Sequence, residues 1–408
     1  MHGCMPSVWG KMRSMANLIS IEEARRRVLE AVSPLPAEPV PLDAALGRVL
    51  AEELVSGLDV PPFRNSAMDG YAVVAGRGGE LPVVGESRAG EPFEGRLEAG
   101  SAVRISTGAA VPDGADAVVP VELAEASNGA VRLPASEPGS NVRMAGEDVR
   151  EGQAVLAPGA ALGPAEVAVA ASLGRSELSC AARPRVALLV TGDELAEPGA
   201  ALAPGQIYSS NGWALAGMVE RAGAKLVLRE TVRDSAEQTR DALGRALDAA
   251  DLVCVSGGVS VGEHDHVRGA LAELGAEQRF WGVALKPGKP TWFGARGRVL
   301  AFGLPGNPVS AMVTFQLFAR PALLALQGAA PGALRAQATL TEPVRLIPPR
   351  EQAVRVRLEP GVQGWLATPT GEQGSHQLTS MLGAGALAMI PRGEGELAAG
   401  ERVTVELL

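Results

Sequence analysis

The segment Asp251–Val267, which reads DLVCVSGGVSVGEHDHV, indicates most clearly how this chain folds. Its run Leu252–Val255 is continuous and apolar, which is typical of a strand buried on both faces of a parallel sheet. Glycines follow the run, and acidic and histidine residues then open the next segment. Such a loop leaves backbone N–H groups free to hold an anion, while neighbouring carboxylates can hold a cation. The segment therefore predicts a strand, a ligand-binding loop and a helix.

The residues that flank this segment alternate between strand-like and helix-like patterns. The apolar runs Val186–Val190 and Leu226–Leu228 read as two further strands. Between the strands, Asn211 and either Asp234 or Ser235 are placed to cap helices. Alternation of this kind predicts a parallel sheet with helices on both faces, which makes residues 183–328 a three-layer α/β domain.

The rest of the sequence divides, by its residue patterns, into helical and β regions. Residues 17–54 and 149–182 read as one discontinuous helical N-terminal or linker domain, with a capped helix after Ser20 and a short helix from Leu42 to Leu54. Short strand-like runs separated by Gly and Pro predict a small inserted β-domain at 55–148 and a C-terminal β-barrel at 329–408. The predicted fold class is thus multidomain α/β plus β, and residues 1–16 are interpreted as a disordered extension.

Composition excludes several classes of protein. A net charge of −9 argues against a broad nucleic-acid surface and against an anionic-membrane patch. Cys4, Cys180 and Cys254 form no CxxC pair, so no structural zinc or iron–sulfur site is expected. Few cysteines and the lack of a secretory signal indicate a reducing cytoplasm. No run of about 18 apolar residues suggests a membrane span.

In an open α/β sheet, ligands bind beyond the carboxyl ends of the strands. That rule groups Glu194, Asp234 and Asp265 as candidate ligands of a divalent cation. It also groups a glycine loop, a lysine turn and a proline loop, which could hold an oxyanion. The residues concerned are Ser256, Gly257, Gly258, Ser260, Gly262, Lys286, Lys289, Pro305 and Pro308. Any one of these residues alone could be a cap or a solvated turn, but the loops recur at the same strand ends.

A second polar run lies in the predicted β-insertion, at Pro61–Ala72 (PPFRNSAMDGYA). Taken alone it could be an Asx-rich turn after two prolines. The loops Thr107–Gly108 and Arg143–Asp148 lie in the same domain. Periodicity does not place any of them at the edge of the α/β sheet.

Seven ordered motifs carry a resemblance to a known family: FRNSAMDGYA, RISTGA, TGDEL, SSNG, SGGVSVGEHDHV, KPGKP and FGLPGNPVSA. They resemble the MoeA family of molybdopterin molybdenumtransferases, to which the C-terminal domain of gephyrin is similar. The resemblance covers residues 17–408, and it implies that the α/β domain is similar to MogA and MoaB.

The resemblance implies insertion of molybdenum from molybdate into adenylylated molybdopterin, with release of AMP and assistance from Mg²⁺. A MogA-like adenylyltransferase would supply the adenylylated substrate. The family implies a homodimer in which the β-insertion of one subunit faces the α/β domain of the other. No nucleic-acid or membrane partner is implied.

The resemblance also assigns roles to individual residues. The acidic residues expected to be catalytic are Asp69, Asp148, Glu194, Asp234 and Asp265, of which the last three would bind the metal. The residues expected to contact substrate are those of the oxyanion set above together with Thr107, Arg143 and Ser375. Arg143 is suited to a bidentate oxyanion contact, and Pro305 and Pro308 would shape the loop that receives the ligand.

Two other functions stay open at this point. The α/β domain would also permit a molybdopterin adenylyltransferase, although the additional 250-odd residues and the NSAMDGYA run count against it. A non-catalytic scaffold like gephyrin is the second alternative. The sequence shows nothing like the fused domain and long linker of such proteins.

Overall fold

A computed structural model describes residues 18–259 and 266–408 of the chain. The chain forms two compact units. The first contains the residues up to Glu38, Gly47–Ala51 and Ser179–Leu408, and the second contains Pro39–Leu46 and Glu52–Leu178. The fold of each unit is given separately below.

The helices of the described residues are α1 (Ile21–Glu30), α2 (Pro164–Ser172), α3 (Asn211–Arg221), α4 (Ala236–Ala249), α5 (Val267–Glu273), α6 (Pro308–Thr314) and α7 (Arg320–Leu326). A π-helical turn, Phe315–Ala319, joins α6 to α7. Short 3₁₀ turns occur at Leu42–Ala44, Val121–Leu123 and Leu378–Met381.

The strands up to residue 181 are β1 (Ala37–Pro41), β2 (Leu54–Val55), β3 (Asn65–Ser66), β4 (Gly70–Val73), β5 (Gly79–Ser87), β6 (Ala102–Ile105), β7 (Ala117–Pro120), β8 (Glu125–Ser127), β9 (Ala130–Leu133), β10 (Val142–Arg143), β11 (Ala154–Leu156) and β12 (Glu177–Ala181). The later strands are β13 (Arg185–Thr191), β14 (Leu195–Ala196), β15 (Ile207–Tyr208), β16 (Lys225–Val232), β17 (Leu252–Ser256), β18 (Glu277–Trp281), β19 (Leu285–Lys286), β20 (Trp292–Arg296), β21 (Val299–Leu304), β22 (Arg335–Leu340), β23 (Val344–Arg345), β24 (Glu351–Gly361), β25 (Gly364–Pro369), β26 (Ala386–Ile390), β27 (Glu396–Leu397) and β28 (Arg402–Leu407).

The α/β part of the first unit is a six-stranded sheet of order β16-β13-β17-β21-β20-β18. Its first four strands are parallel, and β20 is antiparallel to both of its neighbours, β21 and the edge strand β18. Alternate residues of β13 enter different cores: Leu188 packs with Leu215 of α3, and Leu189 packs with Leu243 of α4. Both faces of the sheet are therefore covered, which confirms the predicted α/β class and explains why the strands read as continuous apolar runs.

Local signals predicted most of these elements, with two corrections. Ser20 caps α1 by accepting from the Glu23 N–H, and Ser235 caps α4 by accepting from the Gln238 N–H. Asn211 is not a cap, because it is the first residue of α3 and its side chain bonds elsewhere. The helix expected from Leu42 to Leu54 is only a 3₁₀ turn, since the turn at Gly47 has a positive φ of 74° and strand pairing begins at Leu54.

One helical run is longer and more apolar than expected, since no run of the sequence suggested a membrane span. Pro308–Leu326 spans 19 residues with a mean hydropathy of 1.5, and it is the one helical run of the described residues long and apolar enough to cross a membrane. Because 78% of its most apolar stretch is buried inside the protein, this run packs as a core helix. Its phenylalanines belong to the same core as α1 and α3.

The C-terminal part of the first unit is a closed barrel. Strands β24, β25, β22, β28 and β26 pair in that order, and β26 pairs back with β24. Val356, Ala388 and Val405 lie in its core. Closure leaves these strands without a free edge, and the predicted barrel is confirmed.

The second unit contains a mixed six-stranded sheet of order β7-β4-β6-β5-β9-β8. Successive residues of β4 point to opposite faces, so Ala72 packs with Val103 and Val118 while Tyr71 packs with Val119. The short pair β3 and β10 is separate from this sheet and aligns Asn65 with Arg143. Helix α2 also belongs to this unit.

A buried ion pair joins helix α1 to strand β28 of the barrel. The Glu406 carboxylate, whose side chain is 2% exposed, accepts from Arg25 at 2.7 Å and from Arg335 at 2.9 Å. Burial raises the pKa of Glu406, but the bonds and charges of the two arginines outweigh burial, and the net pKa is lowered.

We expect the substitution Glu406→Gln to lower the free energy of unfolding by about 3 kcal/mol, because it leaves Arg25 buried without its countercharge. Arg335→Gln is the matched control and should cost less than about 1 kcal/mol, since Arg335 is half exposed. Urea unfolding of the wild type and of each variant at several pH values measures the two changes in the free energy of unfolding. Because the folded pKa of Glu406 is depressed, its stabilisation is present above the unfolded carboxyl pKa and is lost as the pH falls. Equal losses for the two variants would contradict this account.

Candidate functional site

The carboxyl ends of the parallel strands surround a pocket of about 260 Å³. Loops after β13, β16, β17 and β21 contribute to it, as the topology of an open parallel sheet requires. The lining residues are Thr191, Gly192, Glu194, Asp234, Gly257, Gly258, Val259, Pro290, Pro305 and Gly306. The structure therefore brings together residues that are more than 100 positions apart in sequence.

Two acidic loops are tied to one another beside this pocket. The Asp193 carboxylate accepts from the Asp234 N–H at 3.2 Å, and the Asp234 carboxylate accepts from the Asp193 N–H at 3.4 Å. Glu194 is exposed, and its carboxylate lies close over Gly192. A Cβ added at Gly192 would come within 2.5 Å of a Glu194 carboxylate oxygen, so a larger residue would not fit there. Glu194 and Asp234 thus present carboxylate oxygens to one pocket, a donor set that suits Mg²⁺.

Asn211 braces the floor of the pocket from the start of α3. Its amide donates to the Ser256 hydroxyl at 2.8 Å and to the Gly306 carbonyl at 2.7 Å. Ser256 in turn donates to the Pro305 carbonyl at 3.1 Å and is 1% exposed. The Ser256 side chain therefore faces inward and holds two loops together rather than facing a ligand. The Gly257 N–H is also used internally, by the Leu304 carbonyl at 3.1 Å.

Neither lysine of the KPGKP turn is among the residues that line this pocket. Lys286 lines a second cavity of about 880 Å³ that is otherwise formed by barrel residues, including Arg345 and Gln373. Burial, followed by the charges of Arg350 and Arg355, lowers the pKa of Lys286. Lys289 is half-buried, and the next residue in the turn, Pro290, is the one that lines the carboxyl-edge pocket.

Ser375 reaches the proline loop from the barrel. Its hydroxyl accepts from the Asn307 amide at 3.0 Å, and its carbonyl accepts from the Val309 N–H at 3.2 Å. Pro308 is the first residue of α6, where its missing N–H is not needed. Pro305 is buried at the end of β21 and lines the pocket.

Arg355, which the sequence patterns did not single out, supports the Ser375 loop from the outer face of the barrel, since its neighbours Val354 and Val356 are the ones that face the barrel core. Arg355 is 1% exposed and donates to the Ser380 hydroxyl and to the carbonyls of Gln373 and Gly374. Burial lowers its pKa to about 10. An arginine within the alternating run Ala353–Leu358 is the signal that could have found it, because such a charge, once buried, needs several acceptors.

The second unit assembles the motif residues of the β-insertion. The Asp69 carboxylate accepts from the Thr107 N–H at 2.6 Å and from the Thr107 hydroxyl at 3.0 Å. These bonds lower the pKa of Asp69. Arg143 is exposed on β10, next to the strand that leads into Asp69. Asp148 is exposed, and its N–H donates to the Val60 carbonyl at 3.0 Å.

Three predicted site residues, Ser260, Gly262 and Asp265, lie outside the described residues. Cys180 and Cys254 are both buried, and burial raises the pKa of each thiol. Within the part of the chain that the structure describes, no three His, Cys, Asp or Glu side chains converge as a preformed metal cluster.

Three family models match consecutive parts of the chain. The MoeA N-terminal region (domains I and II) matches residues 19–174, a probable molybdopterin-binding domain matches 187–325, and the MoeA C-terminal region (domain IV) matches 337–408. A molybdopterin molybdenumtransferase of Haemophilus influenzae is 37% identical over 95% of this chain and 98% of its own length. The chain belongs to the MoeA family.

Another relative and a solved structure also match this chain over nearly its whole length. Molybdopterin molybdenumtransferase 2 of Mycobacterium tuberculosis is 38% identical over 95% of this chain and 98% of its own length. The solved structure of a MoeA protein of molybdopterin biosynthesis from Pyrococcus horikoshii superposes with a TM-score of 0.81 at 34% identity, covering 96% of this chain and 99% of that one. The fold described above is therefore the MoeA fold throughout.

Substituting Asn211 tests the brace in this MoeA protein. We expect Asn211→Ala to lower the free energy of unfolding by about 2 kcal/mol, because the buried Ser256 hydroxyl and the partly buried Gly306 carbonyl lose their donor. Asn307→Ala is the control: its side chain is exposed, and its loss should cost less than about 1 kcal/mol. Urea unfolding gives the two values, and amide hydrogen exchange at Gly257–Val259 should be faster in Asn211→Ala alone. An unchanged exchange rate at these amides in Asn211→Ala would show that Asn211 does not hold the pocket loops in place.

Proposed function

We propose that this chain is a molybdopterin molybdenumtransferase, which inserts molybdenum from molybdate into adenylylated molybdopterin and releases AMP. One observation carries the proposal: Glu194, Asp234 and the glycine loop line a single pocket within the domain that matches the molybdopterin-binding model. The full-length similarity to molybdenumtransferases supports the same reaction.

The pocket suits a phosphorylated ligand accompanied by a divalent cation. Its two carboxylates would repel a phosphate group on their own, so a cation between them and the phosphate is needed. Glu194 and Asp234 would hold Mg²⁺, together with Asp265 of the glycine loop. When bound, Mg²⁺ neutralises charge on the phosphoryl oxygens. The glycine backbone leaves room for the phosphate to approach, and the Asp193–Asp234 bonds keep the two acidic loops in place.

The second cavity suits a tetrahedral oxyanion such as the molybdate substrate. Lys286 and Arg345 lie on its wall, and Arg355 adds positive charge behind it. Burial and then the charges of Arg350 and Arg355 lower the pKa of Lys286, and a bound anion would offset both effects on the charged lysine. We assign Lys286 and Lys289 to oxyanion binding, and Ser375 to positioning the proline loop that lines the carboxyl-edge pocket.

Residues of the β-insertion would complete the site across a homodimer. Asp69, Thr107, Arg143 and Asp148 form exposed polar loops on their own unit, and the resemblance to the family supports a role for them in a partner's site. A MogA-like adenylyltransferase would deliver the adenylylated substrate, and the cytoplasm is the proposed compartment. These assignments rest on family resemblance.

The activity is tested by following AMP. With adenylylated molybdopterin, the wild-type protein should release AMP in a molybdate-dependent reaction. Glu194→Gln should lower that rate by about 100-fold or more, since it removes one of the carboxylates that would hold Mg²⁺ against the phosphate. Glu197→Gln is the matched control on the same loop, because Gln preserves the acceptor for the Thr231 hydroxyl, and its rate should be unchanged. ATP consumption with formation of adenylylated molybdopterin would instead identify an adenylyltransferase.

Mixing two inactive variants tests the shared site. In a homodimer with sites built from both subunits, Asp69→Ala and Glu194→Ala each inactivate every site. A mixed dimer of the two variants has one intact site, so random exchange of subunits should restore about a quarter of wild-type activity. If each subunit builds its own site, mixing restores nothing.

A further inference from the structure

Trp281 contacts the first part of the glycine loop, Gly257–Val259, from outside the carboxyl-edge pocket. It is the last residue of β18, and its indole N–H donates to the Val259 carbonyl at 3.1 Å. Val259 lines the pocket, whereas Trp281 is not among the lining residues. Trp281 therefore holds a residue of the pocket wall without being part of that wall.

The loop needs such a contact because two successive glycines have great conformational freedom. Both have a positive φ, 99° at Gly257 and 64° at Gly258. The Gly257 N–H is fixed by the Leu304 carbonyl at 3.1 Å, but the Gly258 N–H has no partner in the part of the chain that the structure describes. Beyond Gly258, the loop is held through Val259, by its buried side chain and by the bond from Trp281.

The Trp281 indole is itself fixed by the scaffold. Trp281 pairs with Trp292 of β20 within the sheet, and the guanidinium carbon of Arg268 lies 4.7 Å from the centre of the Trp281 ring. A guanidinium at this distance over an indole face is attracted to it electrostatically. Arg268 belongs to α5, so the donor that holds Val259 is positioned by a strand and a helix rather than by the loop itself.

We propose that Trp281 is a positioning residue for the phosphate group of the substrate. Its bond to the Val259 carbonyl keeps the preceding peptide in the conformation in which the Gly258 N–H is free to donate to a phosphoryl oxygen. Backbone N–H groups of glycine loops bind anions in this way, and ordering the loop beforehand lowers the entropy lost on binding. This inference rests on the proposed function and deepens it, because it names a residue outside the pocket that sets how tightly the phosphate is held.

Binding of AMP to the full-length protein tests the proposal. Wild type and Trp281→Phe are titrated calorimetrically with AMP and with adenosine, both in the presence of Mg²⁺. Phenylalanine keeps an aromatic ring and removes the N–H donor. We expect Trp281→Phe to weaken AMP binding about fivefold or more, because the loop loses one hydrogen bond that orders it, and to leave adenosine binding within about twofold of wild type. A change confined to AMP is the readout that a purely structural role would not produce.

A second variant removes the donor alone. Benzothienylalanine, introduced in place of Trp281 by nonsense suppression, has sulfur where the indole has its N–H and otherwise keeps the shape and aromatic face of the side chain. Folding is therefore preserved even if Trp281→Phe is unstable. We expect the same loss of AMP affinity, about fivefold or more, with adenosine binding unchanged.

Trp292→Phe is the matched control. Trp292 is the strand partner of Trp281, and its indole N–H donates to the Gln278 side chain at 2.9 Å, so the substitution also removes one indole hydrogen bond. Trp292 is 2% exposed, and its replacement leaves buried space. Trp292→Phe should therefore lower the unfolding temperature at least as much as Trp281→Phe, while its affinity for AMP stays within about twofold of wild type.

Four results would overturn the proposal: wild-type AMP affinity in Trp281→Phe, wild-type AMP affinity in the benzothienylalanine variant, equal weakening of AMP and adenosine binding, or the same loss of AMP affinity in Trp292→Phe. Failure of the wild type to bind AMP would instead contradict the proposed function.

Discussion

The site depends on the parallel pairing of β13 with β16 on one side and β17 on the other. This pairing sets Val190 opposite Ser256 and Thr191 opposite Val232, so three strands end at the same level. The loops that follow must then meet at one edge, although they start at residues 192, 233 and 257. The pairing is held by burial on both faces of the sheet, since alternate residues of β13 enter separate apolar cores. Because of this arrangement, the scaffold is rigid where the loops leave it.

Polar contacts then fix the loops relative to each other. Asn211 and Ser256 form a buried brace beneath the pocket, and the reciprocal Asp193–Asp234 bonds hold its acidic side. Every donor of the Arg355 guanidinium that is described reaches a carbonyl or the Ser380 hydroxyl, which makes the barrel a support for the Ser375 loop. Buried polar groups that are satisfied in this way make a site specific in shape.

Periodicity and caps predicted much of the fold because their causes are local. The apolar runs at 186–190 and 252–255 lie within strands of the sheet, and Ser20 and Ser235 cap their helices as expected. The barrel and the β-insertion were also predicted as classes of structure. The direction of individual side chains was not predictable, since it depends on tertiary neighbours. Asn211 read as a cap and is a brace, the Ser256 side chain faces inward, and Lys286 lines a cavity of its own. Arg355 was missed because an arginine in an alternating strand normally faces solvent.

The central claim is that the carboxyl edge of this sheet binds the phosphate of a nucleotide. The most direct measurement is a crystal structure of the protein soaked with AMP and Mg²⁺. The account predicts phosphate density within hydrogen-bond distance of the Gly258 N–H, with a cation between the phosphate and the carboxylates of Glu194 and Asp234. Nucleotide density at another place in the molecule, with this pocket empty at saturating AMP, would contradict it.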